Sequence, residues 1–443
     1  MRQDPVTIDK IAVRGFKSIG DEQAIALRPL TLLAGANSSG KSSMMQPLLL
    51  MKQTLEAQYD PPSAFRLDGP NVCFTRTDQI LTRAGAESSA NEFGIKMEMS
   101  NGTRVEEVFN QGERLGFDVA SVTLSDAKGN VTRMTPDMSH DEIMNTLPAR
   151  SMELIESFRK IYKTTNTEHK LSINRNRCFL YYAAQTSEGI SPSPLLYGPL
   201  FQPSVYIYLY AQLKRMIHLP GFRGQPHRTY PFTSSNADSP VGTFENYVAS
   251  IIVNWQKNRD ELSDNLNSAL EEIGLISKIQ AQMVDDTQIE LQVGLHEADH
   301  LFNIADVGFG VSQSLPVIVA LIAAEPGQIV YLEEPEIHLH PLAQRKMARL
   351  IANAGKRGVI VVAETHSALL LKEIQTLVAG KELPQEKVLL HWFQLDEKGH
   401  TKVSSTELDE DGAFGDWPVD FDEIELRAEN DYLDAVEKRH AYA

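Results

Sequence analysis

Apolar and polar residues alternate at the start of the chain and then give way to a continuous apolar run. Residues 6–16 (VTIDKIAVRGF) alternate, a Gly-Asp turn follows, and residues 23–35 end as an apolar strand. Residues 42–57 carry apolar side chains at helical spacing, whereas residues 93–133 alternate again around Asn-Gly and Lys-Gly-Asn turns. This pattern predicts a strand pair, a buried strand that leads into a helix, and an antiparallel β-region.

The pattern of apolar and polar residues changes twice after residue 133. Residues 140–280 combine helical patterns with proline-rich connectors, and no heptad pattern persists there long enough for a long coiled coil. Strand and helix patterns then alternate from about residue 285, which is typical of a mostly parallel sheet. We therefore predict an α/β fold with a mixed or parallel sheet, an antiparallel β-subdomain and a largely helical insert. The predicted boundaries are 1–135 and 285–400 for the two parts of the main domain, 136–284 for the insert and 401–443 for an acidic C-terminal element.

Composition places the chain among ordinary globular proteins. Its 443 residues are 42% hydrophobic and 23% charged, and its two cysteines are far apart, which disfavours a disulfide framework or a cysteine-built zinc site. The N-terminus lacks the apolar core of a signal peptide, and the longest apolar stretch (LPVIVALIAA) is about half the length of a membrane span. We expect a cytoplasmic protein with no membrane contact.

The net charge of −17 is unevenly distributed. Residues 407–437 hold thirteen acidic side chains against one arginine, so the rest of the chain is nearly balanced and leaves nucleic-acid binding open. The acidic segment is either a solvated surface or an element that docks a partner. Residues 150–177 hold seven Lys or Arg against three Glu. They are either a nucleic-acid or partner surface or a solvated helix.

A glycine- and serine-rich loop between the predicted strand and helix points to phosphate binding. It has G-x-x-x-x-G-K-S spacing, and in this context its glycines allow backbone N–H groups to converge on a phosphate. Lys41 would reach the β- and γ-phosphate oxygens, and Ser42 would offer its hydroxyl to Mg²⁺. The predicted nucleotide contacts from this loop are Gly35, Ala36, Asn37, Ser38, Ser39, Gly40, Lys41, Ser42 and Ser43.

Two carboxylates follow a second apolar strand. In QIVYLEEPEIHLHP, Glu333 and Glu334 stand at a strand end, where α/β proteins bind ligands. One carboxylate can hold the water shell of Mg²⁺ while its neighbour polarises the attacking water. The alternative of an acidic turn stays open, as does a metal site formed by His338 and His340.

Two further motifs extend this site. VVAETHS places His366 just past another apolar strand, where it can bond to a γ-phosphate. DVGFGVSQ places Gly310 and Ser312 at the start of an apolar helix, which makes a second anion-binding turn. Two such turns are needed if the nucleotide lies between two copies of the chain. In that case the chain would form a homodimer, or a higher oligomer of dimers, around the nucleotide.

The order and spacing of these motifs resemble ABC-type ATPases of the branch that includes RecF, SMC heads and OLD-family proteins. GANSSGKSS resembles Walker A, IVYLEE Walker B, VVAETHS the switch-histidine loop, and GFGVSQ stands where the signature motif stands. The resemblance covers roughly residues 6–100 and 285–395. It implies an ABC-type ATPase head that binds ATP and Mg²⁺.

The resemblance also implies residue roles. Glu334 would be the catalytic base, with His366 and Lys41 as the other catalytic residues. The metal would be held by Ser42, by Glu333 and by Gln79, which stands as the Q-loop glutamine of RTDQIL. Lys17, in the N-terminal VRGFKSI, would lie near the nucleotide.

Several functions fit this assignment. The segment GAFGDWPVDFDEIELRAEND resembles a small domain appended to bacterial ATPases of this kind, many of which accompany nucleases in anti-phage defence, such as the Septu and PARIS ATPase subunits. The favoured function is an ATP-gated dimer that regulates a separate effector, with a nuclease as the expected partner. The alternative is a RecF-like clamp that binds DNA when ATP is bound. A transporter subunit and a standalone nuclease fit the motifs less well.

Overall fold

The computed structural model describes residues 5–84, 88–112, 116–147, 170–186, 189–190, 204–233, 240–259, 261–295 and 300–415, with isolated positions at 430 and 433. Most of the basic stretch 150–177 and most of the acidic C-terminal element therefore lie outside the described residues. Arg175 and Arg177, at the end of the basic stretch, are described and are structural. They donate hydrogen bonds to backbone carbonyl oxygens of Pro61 and Ala57, respectively.

A six-stranded, mostly parallel sheet forms the centre of the fold. Its strand order is β13-β18-β19-β3-β20-β21, and each neighbouring pair is parallel except the last, which is antiparallel. The strands in chain order are β3 (Leu30–Gly35), β13 (Ile217–Leu219), β18 (Ile329–Glu333), β19 (Ile360–Glu364), β20 (Val388–Leu395) and β21 (Thr401–Thr406). This sheet confirms the predicted α/β class.

The predicted antiparallel β-region is confirmed as a second six-stranded sheet. Its order is β2-β1-β6-β7-β8-β9 with antiparallel pairing throughout. A two-stranded pair, β4 (Arg83–Ala84) and β5 (Ser88–Ser89), stands apart from it. The strands of the large sheet are β1 (Ile8–Arg14), β2 (Gln23–Ala26), β6 (Glu92–Met99), β7 (Arg104–Gln111), β8 (Phe117–Ser125) and β9 (Val131–Met134).

Helices cover the central sheet, and two apolar cores lie on its opposite faces. Side chains alternate along a strand, so Val330 and Leu332 of β18 enter one core whereas Ile329 and Tyr331 enter the other. The helices are α1 (Lys41–Leu55), α2 (His140–Thr146), α3 (Ser204–Arg215), α4 (Val248–Asn258), α5 (Glu261–Ile273), α6 (Phe309–Ala323), α7 (Pro341–Lys356) and α8 (Ala368–Ala379). None of these described helices is long and apolar enough to cross a bilayer.

The segment 136–284 contains more β-structure than its sequence predicts. The short strand β13 within it joins the central sheet beside β18, which three residues (Ile-His-Leu) after a helix cannot indicate from local pattern. The other strands pair within or close to the segment. They are β10 (Lys170–Asn176), β11 (Phe179–Thr186) and β12 (Gly189–Ile190), and, in a separate sheet, β14 (Tyr230–Pro231), β15 (Lys278–Met283), β16 (Gln288–Gly294) and β17 (Leu301–Asn303).

A buried carboxyl group lies inside the antiparallel subdomain. Glu107 on β7 is fully buried, and neither of its carboxylate oxygens has a hydrogen-bond partner among the described residues. Burial raises the pKa of Glu107 well above its usual range, since the charged form is poorly solvated there. The folded state therefore holds a proton that the unfolded chain releases near pH 4.5.

This carboxyl group predicts a pH-dependent loss of stability. A raised folded-state pKa stabilises the fold fully below the unfolded pKa, and this stabilisation is lost as pH rises towards the folded pKa, at about 1.4 kcal/mol per pH unit. We expect Glu107→Gln, which cannot ionise, to gain stability relative to the parent as pH rises above the unfolded-state value of 4.5. Urea unfolding at a series of pH values above that point measures the difference. A difference that does not change with pH would contradict the buried neutral carboxyl.

Candidate functional site

The predicted phosphate loop connects the end of β3 to the first turn of α1. Gly35 and Gly40 adopt φ angles of 139° and 101°, a region that favours glycine. A Cβ atom on Gly35 would collide with the carbonyl oxygen of Phe393, and one on Gly40 would collide with the hydroxyl of Thr401. These close approaches give the loop its shape, so both glycines are required by the fold around them.

The N-terminus of α1 is available for an anion. The N-cap residue Gly40 offers no side chain to the first N–H groups of the helix, and these groups carry the positive end of the helix dipole. The Lys41 ammonium instead donates to the carbonyl oxygens of Gly35 and Ala36, at 3.0 and 2.8 Å. Burial lowers the pKa of Lys41, with the carboxylates of Glu364 and Glu334 opposing that shift. A bound phosphate would offer the Lys41 ammonium full negative charge, whereas the two carbonyl oxygens offer only partial negative charge.

One cavity of about 580 Å³ gathers most of the predicted site residues. Its lining includes the phosphate loop, Lys17 and the two predicted catalytic residues Glu334 and His366. It also includes Ser18, Gln46 and Glu364, which were absent from the predicted site. The complete lining is Lys17, Ser18, Asn37, Ser38, Ser39, Gly40, Lys41, Ser42, Ser43, Gln46, Glu334, Glu364 and His366.

Glu334 leaves the strand in an unusual backbone conformation. Its φ of 44° lies in the left-handed region, and its N–H donates to the carbonyl oxygen of Glu364 at 3.0 Å. The Glu334 carboxylate is partly exposed, and its Oε1 lies 3.8 Å from Nε2 of His366. A solvent-accessible carboxylate at the cavity wall has the position required of a base that accepts a proton from water.

Glu333 points away from this cavity, which differs from its predicted place beside the metal. Its carboxylate accepts a hydrogen bond from the Gly221 N–H at 3.1 Å and pairs with Nε2 of His218 at 3.3 Å. Burial opposes ionisation of Glu333, but the hydrogen bond and charge of His218 keep its pKa below the usual value. Glu333 is the last residue of β18, whereas Glu334 turns out of the extended conformation directly after it, so the two carboxylates do not share one surface.

Glu364 occupies the position beside Ser42 that the sequence analysis assigned to Glu333. The Ser42 hydroxyl donates to the Glu364 carboxylate at 2.9 Å, and the buried Tyr331 hydroxyl donates to its other oxygen. Burial, and then the charge of Glu333, raise the pKa of Glu364 to about 7. The available signal was a glutamate that ends an apolar strand two residues before the predicted switch histidine.

The loop that carries His366 is held by Glu336. The Glu336 carboxylate accepts hydrogen bonds from the Thr365 hydroxyl and from the N–H groups of His366 and Ser367, the latter two at 3.2 Å. Burial, and then the charge of Lys41, lower the pKa of His366. The His366 imidazole lines the cavity, and the hydrogen bonds to Glu336 fix the backbone of the loop that carries it. Sequence analysis did not identify Glu336 as a positioning group.

The structure places Lys17 in the cavity lining but not Gln79. Lys17 lines the cavity, donates to Oε1 of Gln46 at 3.0 Å and lies over the ring of Phe74, 5.2 Å from its centroid. Gln79 is not in the cavity lining, and its side-chain oxygen accepts from the N–H of Thr75 at 2.9 Å. It closes its own short turn, so the structure does not bring this predicted metal ligand to the site.

The second predicted anion-binding turn lies away from the phosphate cavity of the same chain. Gly310 and Ser312 lie in the first turn of α6, and Ser312 donates to the Phe309 carbonyl oxygen at 3.1 Å. Neither residue lines the cavity around Lys41. Ser312 instead borders a separate cavity of about 230 Å³ beside Arg223. The two turns do not share one site within a single chain.

The two histidines considered as an alternative metal site make other contacts in the structure. The His340 imidazole accepts from the Leu342 N–H and caps α7, whereas His338 lies beside the ring of Phe309. In the part of the chain that the structure describes, no three His, Cys, Asp or Glu side chains are grouped to hold a metal ion.

The cavity does fit a magnesium nucleotide. Unblocked N–H groups at the start of α1 and the buried Lys41 ammonium suit phosphate oxygens. The paired Ser42 hydroxyl and Glu364 carboxylate are oxygen donors of the kind that Mg²⁺ prefers. The donor set therefore suits a hard cation bound together with phosphates.

Comparison with known proteins gives one family match. Residues 213–372 match the family model described as "AAA domain, putative AbiEii toxin, Type IV TA system". The matched region runs from the end of α3 through β18 and β19, which end at Glu333 and Glu364. No protein of curated function matches the chain.

Solved SMC head domains align with most of the chain at low identity. An SMC head bound to the C-winged helix domain of ScpA is 12% identical, with a TM-score of 0.47 and coverage of 91% of this chain and 98% of that one. An SMC head with an extended coiled coil from Pyrococcus furiosus, bound to the C-terminal domain of ScpA, is 10% identical, with a TM-score of 0.45 and coverage of 91% and 96%. The SMC head from Thermotoga maritima is 12% identical, with a TM-score of 0.38 and coverage of 91% and 100%. Residues 213–372 are therefore similar to an AAA domain.

Proposed function

We propose that this chain binds ATP with Mg²⁺ and hydrolyses the nucleotide to ADP and phosphate. The observation that carries the proposal is the single cavity that joins the phosphate loop, the Ser42–Glu364 pair and the Glu334–His366 pair. These groups come from three parallel strands that end at the same edge of the central sheet, where α/β proteins bind ligands.

The phosphate groups are bound by the loop and by Lys41. N–H groups at the start of α1 receive the β-phosphate, and the Lys41 ammonium exchanges its carbonyl partners for β- and γ-phosphate oxygens. Ser42 and Glu364 are the residues that would hold Mg²⁺. When bound, the ion would neutralise charge on the phosphate oxygens. Glu333 and Gln79 have no contact with this cavity that would give them the same role.

Hydrolysis follows from the position of Glu334. Its carboxylate accepts a proton from a water molecule as the water oxygen bonds to the γ-phosphorus. The bond between that phosphorus and the bridging oxygen breaks, and ADP leaves with the electron pair. His366 donates a hydrogen bond to the γ-phosphate from a loop that Glu336 holds in place.

We propose further that two copies of the chain complete each site. The Gly310–Ser312 turn has N–H groups suited to an anion but does not line the phosphate cavity of its own chain. A partner copy could present the same turn to the γ-phosphate, which would make dimerisation depend on ATP. Regulation of a separate effector, with an anti-phage nuclease as the expected one, rests on the sequence resemblance alone.

The direct test measures phosphate release by the purified full chain at several protein concentrations with Mg²⁺ and ATP. We expect turnover per chain to rise with protein concentration, because two copies form each site. Absence of ATP binding would reject the proposal. A shift of duplex DNA that requires ATP and weakens with salt would favour the RecF-like clamp over effector regulation.

The partner turn can be tested separately with Ser312→Arg. The bulky side chain would obstruct a partner nucleotide without touching the cavity around Lys41, so ATP affinity should stay within about twofold while turnover falls at least about tenfold. Ser404→Arg, on an exposed position of β21, is the matched control. Parental turnover in the Ser312 variant would argue against the two-chain site.

A further inference from the structure

The Arg223 side chain contacts two segments of the proposed mechanism: the start of α6, which carries Ser312, and the end of β18, next to the proposed base Glu334. It lies in the loop between β13 and β14 and is only 7% exposed. One guanidinium nitrogen, Nη1, donates to the carbonyl oxygen of Gln313 at 3.1 Å. The other, Nη2, donates to the carbonyl oxygens of Glu333 and Glu334, at 2.7 and 3.3 Å. One rigid group therefore joins the first turn of α6 to the end of β18.

The contact between this loop and α6 is reciprocal. The Gln313 side chain donates through Nε2 to the carbonyl oxygen of Gly224 at 2.7 Å. The backbone of Gln313 is therefore bound by Arg223, and its side chain is bound to Gly224, the residue after Arg223. Because Gln313 directly follows Ser312, this loop is bound to α6 beside the Gly310–Ser312 turn.

The other end of the contact is the proposed base. The Glu334 backbone has a φ of 44°, a conformation that persists only when neighbouring groups hold it. Arg223 Nη2 binds its carbonyl oxygen, and the Glu334 N–H is bound by the Glu364 carbonyl. The Ile337 N–H also donates to the Glu334 carbonyl oxygen, at 3.1 Å. Arg223 is therefore one of the groups that hold the backbone from which the Glu334 carboxylate leaves the strand.

Burial of a guanidinium at this point is costly and needs compensation. The carbonyl oxygens and the charges of the carboxylates of Glu245, Glu336, Glu333 and Glu334 offset part of this cost. The Nε of Arg223 has no hydrogen-bond partner among the described residues. Burial lowers the pKa of Arg223 to about 10, so the group remains charged at neutral pH. An arginine is suited to the site because its planar fork can bind several acceptors in fixed directions, which a lysine cannot do.

We propose that Arg223 is a positioning residue that couples contact of the Ser312 turn with a partner nucleotide to the orientation of Glu334. The inference rests on the proposed function and extends it, since it states how assembly of two chains would set the catalytic base. Movement of α6 on closure would shift Gln313 and, through the guanidinium, the carbonyl of Glu334. ATP would then be hydrolysed only in the assembled state.

The test compares Arg223→Lys with Arg228→Lys in the full chain. Arg228 lies in the same loop but is exposed and pairs with Asp306 at 2.7 Å, so it is a matched control. We expect Arg223→Lys to lower kcat about 10- to 100-fold through misplacement of the base, with ATP affinity and KM within about twofold of the parent. The control should retain parental kcat and KM.

Two outcomes would overturn the inference. One is parental kcat in Arg223→Lys, and the other is an equal loss of ATP affinity and turnover, which would indicate a general structural role. If Arg223→Lys does not fold, Gln313→Met decides, because it removes the bond to Gly224 at nearly constant volume. A parental kcat in that variant overturns the coupling, and a kcat reduced about threefold or more at parental KM supports it. A parent chain that binds no ATP would instead reject the proposed function.

Discussion

Glu334→Gln is expected to abolish nearly all ATP turnover while ATP binding persists. Glutamine keeps the shape of the side chain but cannot accept a proton from water, and removal of a general base costs about 10²- to 10⁴-fold in rate. Since the phosphate loop is unchanged, the variant should accumulate the ATP-bound dimer. Single-turnover kinetics and size-exclusion chromatography with ATP measure these two effects.

The control for this prediction is Glu397→Gln, an exposed carboxylate in the turn before β21. It should turn over ATP at the parental rate. A Glu334 variant with parental turnover would refute the assignment of the base and direct attention to Glu364, the other carboxylate in the cavity.

Lys41→Ala is expected to remove measurable ATP binding. The ammonium lies in a partly buried position and is the only Lys or Arg side chain besides Lys17 among the described residues that line the phosphate cavity. Truncation of one partner of such a charge-assisted contact costs about 2–5 kcal/mol, which corresponds to at least about 30-fold in affinity. Isothermal titration with ATP and Mg²⁺ measures the loss.

The fold should survive this substitution, because Lys41 contacts only the carbonyl oxygens of its own loop through hydrogen bonds. Circular dichroism and a thermal melt would verify this. Lys10→Ala, at an exposed position on β1, is the matched control and should bind ATP like the parent. Parental affinity in the Lys41 variant would exclude this loop as the nucleotide site.

Local sequence patterns were sufficient for most of the elements that build the site. The strand, glycine loop and helix around Lys41 follow from an apolar run, two glycines and helical spacing. The strand ends just before Glu334 and just before the His366 loop follow in the same way from short apolar runs. Parallel strands bring their carboxyl ends to one edge, so the meeting of these residues was predictable in outline.

The identity of the side chain at each position in the cavity was decided by the tertiary structure. Ser42 and Glu364 are 322 residues apart in sequence yet share a hydrogen bond. Glu333 turns towards His218 because β13, a strand with no clear local signal, pairs with β18 and carries that histidine. Gln79 likewise does not serve the cavity, because its side-chain oxygen accepts a hydrogen bond from Thr75 within its own turn.

The sequence by itself determined where strands and helices begin and which of them end in chemically active residues, because these features depend on neighbours within a few positions. The tertiary structure alone decided that Glu364 accompanies Ser42, that Glu336 holds the His366 loop, and that Arg223 joins Gln313 to Glu334. Each of these contacts joins residues that are distant in the chain. The direction and partner of a buried polar group are set by whichever distant donor or acceptor is packed against it, since an unpaired group there is costly.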